Sequence, residues 1–575
     1  MKLQQVLFAT LLISVLITCI AYSIFAATVR YVDSDSKGSL LLSQAIIQQG
    51  TVKLDSYSNV MQEYGHRVHM KNNHVYYYFP IGTPLYSAPF VAIANIFGQD
   101  MRVQEEEARL QIQLAAFLGV TTFLLLFFIA KLLTGGLISS SLLAALFWFG
   151  SGFCSTSGTA LWSQNWASLY SLLAIALVIQ SLMKASNPRW CLIGFFLFSA
   201  YLCRPTLALL SPIMIILLYT FNRMAAFKVA AVVFTMLAFF VFWSLYEFRQ
   251  PLPDYYLPKR LGGADFGEAL AGNLFSPARG LFVYMPFLIV PFLFWRRSVW
   301  VFRNHKKLML VLVWPLIHLV NISRFPHWWG GYSYGPRLMI DIIPALFIFY
   351  CLFTKDLRAK SAATGFIVAF GLLAIYINWY QGLFNMYTKE WNAQPNIDKN
   401  KQYLWNWHFT QFLYNEDRHN QRNLRFQSNK IEPISPGQTL GFQSHNVIFN
   451  GLYFTNPPIG RSHGNASEIR FRINQSDMYH GELRLRTGFF DPQKILVWLN
   501  GEKIATFEGT GTAVVDYIAL FEPSLLTTSG INAIRLEYSN ARVPSREVIR
   551  FPFVIQFPWA IQIPLAIRFE SITVN

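Results

Sequence analysis

Apolar runs long enough to cross a bilayer recur along the first two thirds of the chain, near residues 6–27, 110–130, 136–153, 160–183, 226–246, 308–322, 338–353 and 361–380. A spanning helix needs about 20 predominantly apolar residues, and these runs approach that length. Three further runs are interrupted. Residues 190–221 break at Arg204-Pro205 and read as two short spans, 281–295 is short and holds Pro286 and Pro291, and 79–97 holds Pro80, Pro84 and Pro89. After Tyr380 the pattern changes. Residues 381–430 are rich in Asn, Gln, Trp and Tyr, with little apolar periodicity, and read as a linker with short helices. From about 431 onward apolar and polar residues alternate, as in Glu468–Ile473, Glu482–Arg486, Lys494–Leu499, Ala533–Tyr538 and Ala566–Glu570, which predicts strands. Asn500-Gly501 predicts a tight hairpin turn between two of them. The expected fold is therefore a polytopic α-helical membrane domain over 1–380 followed by a soluble β-sandwich over 431–575.

Charge fixes the expected topology. Lys131, Lys184, Arg189, Arg223, Lys228, Arg296, Arg297, Arg303, Lys306, Lys307, Lys355, Arg358 and Lys360 fall on one side, together with Lys2, provided that 79–97 does not cross. The positive-inside rule makes that side cytoplasmic. Residues 79–97 then form an interfacial or re-entrant segment, and the count is about 11 spans with the N-terminus inside and the C-terminal domain outside. The first run is longer than a signal-peptide core, so it reads as an uncleaved span.

Composition agrees: 53% of the 575 residues are hydrophobic and only 13% are charged, against about 25% charged in a soluble domain. The net charge of +17 lies largely in short loops between apolar runs, so topology accounts for it and no nucleic-acid partner is implied. The five cysteines (Cys19, Cys154, Cys191, Cys203, Cys351) all precede residue 381, so no disulfide framework holds the soluble part.

The unusual residues collect in the expected outer loops, 28–107, 247–280 and 323–337, where function tends to lie on a rigid scaffold. The first is Tyr31-Val-Asp33-Ser-Asp35-Ser-Lys37, with two carboxylates one residue apart. Either they are solvated residues capping a helix from Ser39, or one is a general base and the other an orienting group or metal ligand. In an extended segment the two would point to opposite faces, leaving one for a site. Next comes Asn72-Asn-His74-Val-Tyr76-Tyr77-Tyr78-Phe-Pro80, an aromatic belt or the floor of a cleft, with His74 as a candidate proton shuttle. Two further turns, Ser276-Pro-Ala-Arg279-Gly280 and His327-Trp328-Trp329-Gly-Gly-Tyr332-Ser333-Tyr-Gly-Pro-Arg337, each put an arginine among Gly and Pro. With Arg204 these arginines run against the positive-inside bias, so each needs a partner: Asp254, Asp265 or Asp341, or a lipid phosphate. Lys37 adds a cation beside the acidic pair.

An acidic stretch after the first span, a Tyr-Phe-Pro-Ile-Gly-Thr-Pro turn in a long first outer loop, a Ser-Pro-Ala-Arg-Gly turn and a Trp-Gly-Gly-Tyr-Ser-Tyr-Gly-Pro-Arg turn together resemble bacterial GT-C superfamily glycosyltransferases, the group of the protein O-mannosyltransferases and aminoarabinose transferases. The resemblance covers roughly residues 1–380. It implies a polyprenyl-phosphate-linked sugar donor, a glycan, lipid or protein acceptor, and a catalytic aspartate in the first outer loop that deprotonates the acceptor hydroxyl, with inversion at the sugar. That role falls on Asp35 or Asp33; Asp35 is favoured because it directly precedes the helical run Gly38–Gln49. Where the family has Asp-Glu, this chain has Asp33-Ser34-Asp35. Arg204, Arg279, Arg337 and Lys37 become candidates for the donor phosphate. His74, Tyr76, Tyr77, Tyr78, Trp328, Trp329, Tyr332 and Ser333 become candidates for the substrate cleft. No cofactor is required; an Asp-x-Asp pair invites a divalent cation at Asp33 and Asp35, and many relatives work without one. The implied location is a bacterial inner membrane with a periplasmic site. The Val-Trp-Leu-Asn-Gly turn and closing strand of the C-terminal part resemble carbohydrate-binding jelly rolls, which leaves a structural cap or an acceptor-glycan platform. Rival functions are a lipid-linked-sugar flippase or transporter, which needs charges within the spans, and a polysaccharide polymerase or ligase, which uses a late Arg/His-rich loop.

Overall fold

A computed structural model describes residues 2–574 except 58–59, 259–260, 358–360, 428–432, 436, 441–447, 451, 456–458, 463–465, 474–478, 490–491, 512, 529 and 540–566. The chain forms two compact units, Met1–Asn415 and Glu416–Asn575.

The first unit is helical. Among the described residues six of its helices are long and apolar enough to cross a membrane: Val6–Ala26, Gln104–Thr134, Ser163–Lys184, Arg223–Phe248, Arg337–Thr354 and Ala362–Phe384. They divide by burial. The Arg337–Thr354 and Ser163–Lys184 windows are 78% and 72% buried, whereas Val6–Ala26 and Arg223–Phe248 are each 22% buried. The first two build the centre, and the others turn phenylalanines such as Phe234, Phe239 and Phe242 outward, as a lipid-facing helix does. Leu137–Phe149, Trp190–Cys203 and Pro205–Tyr219 are shorter apolar helices. The stretch over 281–295 is no single helix: it breaks into Leu281–Tyr284, Pro286–Ile289 and Val290–Leu293, because proline cannot continue a helical ladder. Trp295–Asn304 and Lys306–Ile322 meet at a bend of 110°.

Residues 79–97 contain the helix Gly82–Ile96, whose end exposes Ile93, Ile96 and Phe97. At its start, a Cβ on Gly82 would lie 2.6 Å from the backbone of Leu202 and Cys203, so glycine is what lets this helix seat against the end of Trp190–Cys203. The residues before it form a two-stranded hairpin, Val68–Lys71 and His74–Tyr77, with Lys71 opposite His74. Asn72 and Asn73 take positive φ values of 51° and 63°, the geometry of a tight hairpin turn.

Around the acidic stretch the sequence expectation needs correcting. Residues 32–38 are a succession of turns, not an extended segment, so strand alternation does not decide which aspartate faces a site. Neither aspartate caps the following helix, Ser39–Gln49. Its first turn begins at Gly38 (φ 87°) with no side-chain cap of its own. The cap comes from far along the chain: Oε1 of buried Glu107 accepts from Gly38 N at 2.8 Å and Leu40 N at 3.3 Å. A carboxylate at a helix N-terminus satisfies otherwise unpaired donors and meets the positive end of the dipole.

Residues 381–415, expected to belong to a linker, are part of the first unit. They carry Tyr387–Ala393, Lys401–Trp405 and Gln411–Leu413, and Trp391, Ile397, Leu404 and Phe409 share a buried cluster with Trp328 and Trp329.

The second unit begins with the helix Glu416–Gln427 and continues as two antiparallel sheets. One runs in the order Glu502–Gly509, Gln493–Leu499, Asn532–Tyr538, Ala466–Phe471, Ile448–Asn450; the other in the order Val515–Leu520, Glu482–Phe489, Ile567–Val574, Ile459–Ser462, Leu452–Thr455, with Thr439–Leu440 also on Ile567–Val574. Ile469, Val497 and Leu536 of the first and Leu483, Leu485 and Val574 of the second share one apolar core. Asn500 and Gly501 turn the expected hairpin with φ values of 50° and 95°. Among the described residues the exposed large apolar side chains of this unit are Val515, Ile518 and Leu520.

The Glu107 cap gives a test. Replacing Glu107 by Ala strips two buried N–H groups of their acceptor and should cost about 1–3 kcal/mol, seen as a lower thermal midpoint of the solubilised full chain. Glu107→Gln keeps one acceptor oxygen and should fall between Ala and wild type.

Candidate active site

The turn that carries Asp35 is held from several sides through its backbone. Tyr31 N donates to Thr159 O at 3.1 Å, and the Tyr77 hydroxyl donates to Asp35 O at 2.6 Å. Arg67 donates to Ser34 O at 2.6 Å, to Asp33 O and to Tyr64 O at 3.2 Å. Burial, and next the Asp35 charge, push the Tyr77 phenol well above its ordinary pKa, so it remains a donor. With its backbone fixed, Asp35 turns its carboxylate to the Arg337 guanidinium and forms an ion pair; Asp33 is exposed and lends Arg67 only its carbonyl.

Arg337 arrives at the end of the Trp-Gly-Gly-Tyr-Ser-Tyr-Gly-Pro turn. Its guanidinium lies 4.0 Å from the centre of the Trp162 ring, a cation–π contact, and donates to Gly330 O at 3.3 Å. Its buried Nε has no hydrogen-bond partner among the described residues. Asp35, Tyr77, Phe79, Trp162, Ser163 and Arg337 line one cleft. Gly335 makes the last bend possible: φ is +58°, and a Cβ there would lie 2.8 Å from the Tyr284 ring.

Arg204, Arg279 and Arg337, which the sequence treats alike, have different surroundings. Arg204 pairs with Asp341, Nε standing 2.9 Å from Oδ2, while Thr206 donates to the same oxygen at 2.7 Å; its other arm reaches Ser163 at the cleft wall at 3.2 Å. Arg279 is only 1% exposed and is surrounded by neutral oxygens: Trp329 O at 2.7 Å, Ala278 O at 2.9 Å, Gly331 O at 3.1 Å, Gln411 Oε1 at 2.6 Å and Asn392 Oδ1 at 2.8 Å. Burial lowers its pKa, and the ring of Trp391 lies 5.3 Å away. Through these bonds Arg279 ties the glycine turn to residues 392 and 411. Lys37 lies over the Tyr64 ring at 5.1 Å and does not line the cleft.

The remaining cleft candidates scatter. Tyr77 lines the Asp35 cleft, and Tyr76 and Tyr78 line a neighbouring one. His74 pairs with Asp55 at 2.6 Å on the exposed hairpin, outside both. Trp328 and Trp329 are core residues. Tyr332 and Ser333 serve through their carbonyls: Tyr332 O accepts from Ser34 Oγ at 3.5 Å, Ser333 O from Asn392 at 3.1 Å and Gln411 at 3.0 Å. Sequence reasoning missed Arg67, Asn392 and Gln411; the last two stood out only as part of an Asn- and Gln-rich stretch. Among the described residues no three His, Cys, Asp or Glu side chains form a metal-holding group, and the Asp35 carboxylate is already engaged by Arg337.

No family model and no curated protein matches the chain.

The same turn offers a pH test. Asp398 accepts from His327 and Trp329 Nε1, each at 2.8 Å. Burial raises its pKa, but these hydrogen bonds outweigh burial and leave it below its ordinary value. Because folding lowers this pKa, the stabilisation is present above the unfolded value of about 3.9 and is lost as pH falls through the folded one. The difference in thermal midpoint between wild type and Asp398→Asn should therefore be largest near neutrality and shrink below about pH 4.

Proposed function

We propose that the chain is an integral-membrane glycosyltransferase. It takes a sugar from a polyprenyl-phosphate donor and transfers it to a hydroxyl of a cell-envelope glycan, lipid or protein at the outer face of a bacterial inner membrane. The observation that carries the reading is the meeting, in one cleft, of Asp35 and Arg337, two residues far apart in sequence.

Asp35 is the general base. It takes the proton of the acceptor hydroxyl as that oxygen attacks the anomeric carbon; the bond from that carbon to the phosphate oxygen breaks, and its electron pair leaves with the phosphate. Arg337 stabilises the charge on the departing phosphate. Without donor the two side chains neutralise each other. An arriving phosphate competes for the guanidinium, which prefers bidentate anions, and so frees the carboxylate to act as base. Tyr77 and Arg67 hold the base through its backbone and are positioning residues. The two-sheet unit, with its resemblance to carbohydrate-binding jelly rolls, fits a supporting role toward a glycan. A lipid-linked-sugar flippase is the second reading; the buried Arg204–Asp341 pair between helices is the observation that favours it.

Purified full-length protein in lipid vesicles with labelled polyprenyl-phosphate sugars separates these. Asp35→Asn should lower transfer by roughly 10²–10⁴-fold, while Asp33→Asn stays within a few-fold of wild type. Arg337→Ala should weaken donor use while Arg337→Lys retains part of it. Equal turnover in wild type and Asp35→Asn would remove the proposed base. Movement of intact donor across the bilayer without cleavage would establish the flippase instead.

A further inference from the structure

A second cleft lies beside the first and shares two of its wall residues, Tyr77 and Phe79. We propose that it binds a neutral, hydroxyl-rich saccharide ring and, on the reading above, that this ring belongs to the acceptor.

Its walls are aromatic: Tyr76, Tyr78, Trp243 and Phe248 line it. Tyr78 and Trp243 are half-buried, and Tyr76 and Phe248 are buried. Tyr76 tilts against Phe248 with ring centres 4.8 Å apart, and Tyr78 stands edge-on to His69 at 5.5 Å. The half-buried rings of Tyr78 and Trp243 are the ones that can meet the C–H face of a pyranose, and tyrosine adds a polar edge. The polar groups among them are arranged for hydroxyls. Asp254 receives Lys71 Nζ at 3.0 Å and Gln250 at 3.3 Å, with His69 Nε2 3.7 Å away. Nδ1 of His69 is buried without a hydrogen-bond partner among the described residues. Tyr76 donates to Glu247 at 2.8 Å, and Glu247 has Lys53 at 3.6 Å. Each of these carboxylates already has its own lysine, and among the described residues no arginine lines the cleft. An anion would thus find no cation held out to it, whereas a hydroxylated ring would find both donors and acceptors beside flat apolar faces.

The position makes chemical sense of the shared wall. Tyr77 faces both clefts and holds Asp35 through its hydroxyl. A ring seated against Tyr78 and Trp243 has as common walls with the cleft of the base Tyr77 and Phe79.

Saturation-transfer NMR on the full chain in nanodiscs tests this, with methyl glycosides of glucose, galactose, mannose and N-acetylglucosamine as probes and decanol as the apolar control. At least one glycoside should receive magnetisation at its ring C–H protons. Trp243→Ala and the milder Tyr78→Phe should weaken that binding, by about tenfold for the tryptophan, while Asp35→Asn leaves it unchanged. In the transfer assay the same two variants should raise the acceptor KM and leave the donor KM alone. Sugar binding that survives Trp243→Ala and Tyr78→Phe, or a cleft that takes decanol and no glycoside, overturns the proposal. Binding that follows these variants in a protein that never transfers sugar would sink the glycosyltransferase reading and leave the saccharide cleft standing. Transfer whose acceptor KM ignores both variants would do the reverse.

Discussion

The ion pair between Asp35 and Arg337 is the contact on which the arrangement of the loops around the cleft turns. It joins the turn after the first long helix to the turn before Arg337–Thr354, and each partner is held by a separate device. Asp35 sits on a turn pinned by Tyr77, Arg67 and the carbonyl of Thr159. Arg337 ends a turn pinned by Gly335, Trp162 and the hub of Arg279, Asn392 and Gln411. A pair at this level of burial contributes little net stability, because desolvating two charges consumes most of their attraction. The apparatus that positions it is far larger than that contribution warrants, which supports the proposal that the pair is a site rather than a brace.

The fold was legible where a single physical requirement dominates. A bilayer demands long apolar helices, and a half-buried sheet demands alternation, so both units could be read from the period of their hydrophobic residues. Asn500-Gly501 announced its hairpin because only such residues accept two successive positive φ values at low cost. Asn72-Asn73 carried the same signal and was overlooked, because the tyrosines that follow suggested an interfacial belt. The Asn- and Gln-rich stretch read as a linker because polar side chains that satisfy a buried guanidinium look, in sequence, like solvated ones. Nothing local distinguishes Gln411, which accepts from Arg279 and Gly335, from a surface glutamine.

The site was legible only in part for the same reason. Type and spacing picked out Asp35, Arg337 and Tyr77, which do meet. They also picked out Trp328, Trp329 and Arg279, whose partners lie in the 381–415 region and turn them into scaffold. Which of the two aspartates faces the cleft depended on a turn conformation fixed by Arg67 and Glu107, two residues distant in sequence. Alternation along a strand had no bearing on it.

The three arginines show how burial sorts residues of one type into separate roles. Arg204 has a carboxylate of its own in Asp341, and Arg279 spreads its charge over five neutral oxygens. Arg204 is already neutralised, and Arg279, 1% exposed, is closed in by its partners. Arg337 differs: its carboxylate is the more exposed member of the pair, 27% against 8%, and the pair lies in the cleft wall. A carboxylate whose oxygen is held by a guanidinium is not free to accept from a hydroxyl. An anion that takes the guanidinium removes that restraint at the moment it arrives. On the proposed reading the donor's own phosphate is that anion, so the base is freed only when there is a sugar to transfer, and an acceptor that arrives first meets a carboxylate still committed to Arg337.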